Sequence, residues 1–202
     1  MTLEQLEEKL RGREPGLMDA SGQYAVLVPL VEREGKLHIL YEVRSQDMRR
    51  QPGEVCFPGG RIEGDETPEA CAIRETEEEL SIPPSQVRLL GTPDFLCSQR
   101  GFLIRPFLGL VSPAGMAVMA PSPAEVAEVF TVPLAFFQET KPEIYTYDLL
   151  PQGPAEFPYE AVGVSPDYPW SHGRVEVPVW YWQGRAVWGM TARIVRHIVQ
   201  EF

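Results

Sequence analysis

What most limits how this chain can fold is a stretch dense in glycine, proline and charge, residues 46–66, that runs straight into a helix rich in glutamate. The stretch reads as a long ordered connection, and connections of that length inside a compact domain are usually functional. Thr67 has an N-cap side chain, and Pro68 suits the first helical position, where its missing N–H is not needed. The helix is expected to end near Leu80, because Pro83 and Pro84 cannot continue it. Advancing about 100° per residue places Glu75, Glu78 and Glu79 within one arc of about 100°. Ala72, Ile73, Thr76 and Leu80 share the neighbouring arc, which is expected to face a sheet, and Glu77 points away. The three glutamates therefore stand at the border of the buried face.

Three carboxylates that close repel one another unless something positive lies between them. Divalent cations with oxygen ligands are the natural partners, and magnesium takes one or two carboxylates together with substrate phosphate oxygens. Such a centre neutralises a diphosphate and lowers the pKa of a bound water, and a carboxylate left unligated can take that water's proton. A glutamate-rich helix on its own is also compatible with a solvated acidic surface in which Arg74 pairs with Glu78.

The rest of the chain reads as short strands with a few helices. Residues 2–11 form a short helix with Leu3, Leu6 and Leu10 on one side. Gln23–Val31 and Lys36–Arg44 are strands joined through Glu32–Gly35, followed later by strands at Val87–Phe95, Leu103–Val111 and Val175–Trp182. Residues 112–124 read as a loop, and Glu125–Phe137 as strand followed by short helix. Val187–Glu201 is a terminal helix with Trp188, Thr191, Ile194, Val195, Ile198 and Phe202 at helical spacing. With 202 residues, 20 prolines and 17 glycines, this predicts one domain, residues 1–202, of α/β or α+β type around a mixed sheet.

The net charge of −11 excludes a basic stripe for nucleic acid, and a phosphate-bearing substrate then requires bridging cations. Cys56, Cys71 and Cys97 match no metal knuckle and read as reduced thiols in a cytoplasmic protein. His38, His172 and His197 are scattered, which argues against zinc. The first residues do not resemble a signal peptide, and no apolar run is long enough to span a membrane.

Gly60-Arg-Ile-Glu-Gly-Asp-Glu66, seven residues, then Arg74-Glu75-Thr76-Glu77-Glu78-Glu79-Leu80-Ser81-Ile82 resembles the Nudix box. The leading glycine, the arginine, the four glutamates of the pattern and the final aliphatic residue all match. Thr76 stands where an aliphatic residue is usual, and Ser81 where glycine is usual. Just upstream, Arg44-Ser45, Arg49, Gly53 and Phe57-Pro58-Gly59-Gly60 resemble, in register, the signature of the coenzyme A diphosphatase branch of that family. The branch usually begins Leu-Leu-Thr-x-Arg, and Tyr41 and Glu42 depart from it.

The resemblance implies a Nudix-like α/β/α sandwich and Mg2+- or Mn2+-dependent hydrolysis of the diphosphate of coenzyme A to 3′,5′-ADP and 4′-phosphopantetheine. It implies Glu75 and Glu79 as leading metal ligands, Glu78 as a further ligand or the base, and Arg74 paired with Glu66. Arg44 and Arg49 would offer fork-shaped donors to phosphate oxygens, with surface ion pairs to Glu42, Asp47 or Glu54 as the plainer reading. Gly53, Gly59 and Gly60 would allow close backbone approach to substrate. Glu125 or Glu128 would add a downstream carboxylate, or form an ordinary surface pair. Oligomeric state stays open between a monomer and the homodimer common in the family. Two alternatives remain: the same chemistry on ADP-ribose, a dinucleotide or a nucleoside triphosphate, and a binding module that has lost turnover.

Overall fold

The computed structural model describes residues 1–13, 16–153 and 156–202. Helix α1 (Leu3–Leu10) starts at a capping box, in which Thr2 and Gln5 each accept the other's backbone N–H. None of its residues is buried, so Leu3, Leu6 and Leu10 share a face that stays in solvent.

Strands β1 (Gly22–Arg33) and β2 (Lys36–Arg44) form a hairpin. Glu34 and Gly35 both take positive φ, 50° and 71°, the two-residue turn whose twist suits an antiparallel pair. The expected loop at 46–66 contains two short strands, β3 (Val55–Cys56) and β4 (Gly59–Arg61), which pair with β2 and β1. Their Gly/Pro-rich composition hides them from pattern reading, because each is held by its neighbour rather than by its own propensity.

Helix α2 (Pro68–Leu80) begins and ends where expected. Thr67 Oγ1 accepts the Ala70 N–H at 3.2 Å. At the other end Ser81 takes the left-handed conformation (φ 56°) that glycine usually supplies, and its hydroxyl donates to the Ala120 carbonyl at 2.9 Å. The buried Thr76 hydroxyl donates to the Ala72 carbonyl at 2.7 Å, so a polar residue is accommodated at an apolar position.

Strand β5 (Val87–Gly91) is shorter than the expected Val87–Phe95, and β6 (Leu96–Cys97) follows as a separate strand. Strand β7 (Phe102–Val111) lies parallel to β1 from Gly22↔Phe102 to Val31↔Val111. Helix α3 (Pro113–Val118) occupies part of the expected loop, then come β8 (Val126–Pro133) and α4 (Leu134–Glu139). The last elements are β9 (Glu143–Leu149), β10 (Gly173–Trp182), β11 (Arg185–Trp188) and α5 (Gly189–Glu201). Strand β9 lacks any in-out alternation, since all seven residues are exposed, and sequence pattern misses it. The terminal helix starts two residues later than expected, and Trp188 and Phe202 are exposed rather than part of its buried face.

The main sheet runs β3-β2-β1-β7-β5, with β4, β6 and β8 joined to β1, β7 and β2. A second sheet runs β11-β10-β9. Among the described residues only β1 and β7 pair in parallel, so the sheet is mixed. Helix α2 covers one face of β1, where Leu80 and Ile82 meet Val31 and Leu40, and Cys71 and Ala72 meet Ala25 and Leu27. On the other face Ile194, Val195 and Ile198 of α5 pack with Val28, Ile39, Tyr41 and Trp180. Each large aliphatic side chain hidden in these layers contributes about 2 kcal/mol. The result is the expected α/β/α layering. No helix among the described residues is long and apolar enough to cross a membrane.

Candidate functional site

Two adjacent backbone positions meet two carboxylates one helical turn apart. Gly59 and Gly60 lie on β4 beneath α2, and the Gly59 N–H donates to Glu79 Oε2 at 2.9 Å. A Cβ at Gly60 would overlap the carboxylate of Glu75, and one at Gly59 would stand 2.7 Å from the Val26 Cα. The glycines therefore make room for Glu75, for Glu79 and for the neighbouring strand.

Arg74 ties the loop to the helix. Its Nε and Nη2 donate to the two oxygens of Glu66 at 3.1 and 2.9 Å. This fork, with the Glu63 N–H on Glu66 Oε1 at 2.8 Å, holds the Glu66 carboxyl down at about 2. Nη1 donates to Glu75 Oε1 at 2.9 Å and to Glu78 Oε2 at 3.0 Å. The three glutamates of the expected cluster differ in depth, and Arg74 Nη1 holds two of them together. Glu79 is buried and Glu75 half-buried, while Glu78 is exposed and drawn to Arg74. The helical wheel sets Cα directions, and the arginine decides where the Glu78 carboxylate goes.

The second wall is β2. Leu40 packs with Leu80 under α2 and Tyr41 packs on the opposite face, so alternation puts Glu42 on the α2 side. Glu42 is 1% exposed, and its Oε1 has no hydrogen-bond partner among the described residues. Sequence reading did not select Glu42 as a site residue. The signal that finds it is a lone charge at an inward position of the apolar run Ile39–Val43. Arg44 lies close enough to favour the charged forms of Glu42 and Glu79, and its Nε donates to the Arg50 carbonyl at 3.3 Å. Gly53 has φ 73°, its N–H donates to the Arg44 carbonyl at 3.0 Å, and a Cβ there would stand 2.6 Å from Gln46 Nε2. Gly53 therefore shapes the loop that carries Arg49, and Arg49 is exposed. Glu125 adds negative field to Glu42, Glu75 and Glu79, whereas Glu128 is taken by Arg185.

Burial, then the neighbouring Glu75 and Glu125, push Glu79 up to about 8 against the pull of the Gly59 N–H. Burial also raises Glu75, opposed by Arg74. A hard divalent cation suits this set: buried carboxylate oxygens, one of them unpartnered, and too little positive charge to balance them. Among the described residues no three acidic, thiol or imidazole side chains stand together in an arrangement that could hold an ion. Glu75 is turned to Arg74, and Glu79 to Gly59.

A pH dependence follows. The folded, metal-free protein keeps a proton on Glu79 up to about pH 8, whereas the ordinary carboxyl value is 4.5. Between those values the native state binds more protons than the unfolded chain, so stability falls as pH rises. A divalent cation bound at Glu79 would displace that proton, so the stabilisation it brought would grow over the same window. Melting curves near pH 5 and near pH 8, in chelator and in Mg2+, check both signs, and a melting temperature in chelator that rises with pH would contradict them.

The layered mixed sheet, the loop-to-helix passage and the glutamates under α2 define the class to which the comparisons also lead. Residues 22–150 match the NUDIX domain, and the chain belongs to the Nudix family of pyrophosphohydrolases. "Peroxisomal coenzyme A diphosphatase NUDT7" of Mus musculus is 37% identical over 141 residues, covering 68% of this chain. The chain spans 57% of the length of that mouse protein. "Uncharacterized Nudix hydrolase NudL" of Photorhabdus laumondii is 33% identical over 187 residues, covering 92% of this chain and 87% of that protein. Among solved structures, the Nudix hydrolase RenU from M. smegmatis is 21% identical with a TM-score of 0.49, covering 59% of this chain and 75% of that one. Enzymes of the family generally use divalent metal ions.

Proposed function

We propose that the chain is a Mg2+- or Mn2+-dependent coenzyme A diphosphatase. Water adds across the diphosphate of coenzyme A or a thioester of it, releasing 3′,5′-ADP and 4′-phosphopantetheine or its acyl form. The observation that carries this reading is the run from Arg44 to Gly60. It supplies a buried-side arginine at one end and, at the other, the two glycines against which Glu75 and Glu79 rest. The likeness to a mouse protein named as a coenzyme A diphosphatase supports it.

In this reading residues 1–202 act as one domain, with α5 tied to the site wall by the Thr191 hydroxyl on the Val55 carbonyl at 3.1 Å. Glu75 and Glu79 hold the cation, with Glu78 as a further ligand or the proton acceptor once it leaves Arg74. Arg74 braces the helix against Glu66. Arg44 and Arg49 receive phosphate oxygens, and Gly53 positions the loop between them. A bound cation supplies charge neutralisation and an acidified water. The protein acts in the cytoplasm on a small molecule, as a monomer or a homodimer, without nucleic acid or membrane.

Incubation of purified protein with coenzyme A, ADP-ribose, a diadenosine polyphosphate and a nucleoside triphosphate, each with Mg2+ or Mn2+, tests the reading by chromatography of the products. Coenzyme A or a thioester is expected to give the highest kcat/KM, with 3′,5′-ADP as the common product. Preference for another nucleoside diphosphate derivative would overturn the substrate while leaving the chemistry.

A further inference from the structure

Glu42 is the most deeply buried carboxylate among the described residues, and nothing in the family box accounts for it. It sits on an inner strand, opposite Cys56 on β3 and Val129 on β8, so both strand edges beside it are covered. Leu40, two residues earlier on the same face, packs with Leu80 beneath the end of α2, which puts Glu42 next to the Glu79 side of the helix. The charged groups that act on it are Glu79, Glu125 and Glu75 with the same sign, and Arg44 with the opposite sign. Its Oε1 has no hydrogen-bond donor among the described residues. Leaving a buried carboxylate unpaired costs several kcal/mol, and apolar residues of the same size would serve the strand better. Of the charged groups that act on Glu42, three are acidic and only Arg44 is basic.

We propose that Glu42 is part of the cation site of this chain, holding a divalent ion jointly with Glu79 on the floor of the groove between β2 and α2. The centre then has one more carboxylate ligand than the helix and the downstream turn provide. This rests on the divalent-cation reading given under Proposed function, but not on the identity of the substrate.

The experiment is Mn2+ titration of the full chain without substrate, followed by calorimetry and by the electron paramagnetic resonance signal of free Mn2+. The proteins are the parent, Glu42→Gln and Glu42→Asp. Glutamine keeps the shape and removes the charge. Aspartate keeps the charge and withdraws it by one methylene, so it serves also if the glutamine form folds poorly. Each variant is expected to lose one bound Mn2+ or to bind at least about 10-fold more weakly, which is about 1.4 kcal/mol. The rise in melting temperature on adding Mn2+ should shrink in parallel, and the metal-free glutamine variant should melt above the parent. Parent-like number and affinity of Mn2+ in both variants would overturn the proposal, leaving Glu42 as a neutral acid that fills space. A parent that binds no Mn2+ would overturn it together with the cation reading. Failure to cleave coenzyme A with Mn2+ binding intact would touch only the substrate.

Discussion

Replacing Glu79 with glutamine is expected to lower kcat by about 10^3-fold or more at saturating Mg2+, in a protein that still folds. The side chain is 5% exposed and receives the Gly59 N–H, and a glutamine carbonyl can accept the same hydrogen bond. Shape and packing against the loop are therefore kept, and only the charge goes. In the proposed centre that charge is what the buried set offers a cation, and a cation's stabilisation of developing phosphate charge amounts to several kcal/mol, where about 4 kcal/mol corresponds to about 10^3 in rate. In chelator near pH 8 the sign for stability reverses. The parent begins to carry a buried charge that the variant lacks, so Glu79→Gln should melt at or above the parent. Steady-state kinetics beside melting curves check both. A variant within about tenfold of the parent would remove Glu79 from the metal centre.

Gly59→Ala is expected to destabilise the protein by about 3 kcal/mol and to reduce turnover with it. The added Cβ would stand 2.5 Å from the Ala25 carbonyl oxygen and 2.7 Å from the Val26 Cα, both backbone atoms of β1, the strand at the middle of the sheet. Neither can turn aside as a flexible side chain does, so β4 must move from β1. That movement takes the Gly59 N–H from Glu79. Gly91→Ala is the control: the position is on an edge strand and a Cβ there meets nothing within 4 Å, so the change should stay within about 0.5 kcal/mol. Urea denaturation of the two variants separates them. Equal midpoints would mean that the β1–β4 contact is looser than its geometry.

Helix α2 was readable end to end because its boundaries are local chemistry: a threonine cap, a first-turn proline and two prolines beyond the end. The hairpin of β1 and β2 was readable for the same reason, from strand-like apolar runs on either side of a turn that ends in glycine. Strands β3, β4 and β9 were not. The first two lie in a glycine- and proline-rich loop and exist because β2 and β1 offer them partners, and the third is exposed on every residue and has no pattern to show. The site divides similarly. Arg74 with Glu66 is what the family resemblance implies, and it stands at 2.9 Å. Arg74 with Glu78 follows from the i, i+4 spacing and stands at 3.0 Å, whereas the burial of Glu79 depends on what packs over it from elsewhere in the chain.

By itself the sequence determined the chemistry on offer: which carboxylates share a helix face, which arginine lies within reach of them, and which family pattern they complete. Those are properties of neighbours along the chain, set by a period of about 3.6 residues in the helix and two in the strand. Only the tertiary structure decided the depth of each charge. Glu42 and Glu79, 37 residues apart, become one buried pair because β2 and α2 pack through Leu40 and Leu80. Burial depends on what covers a residue from elsewhere in the chain, and the local pattern records only that a glutamate stands on the inner face of a strand.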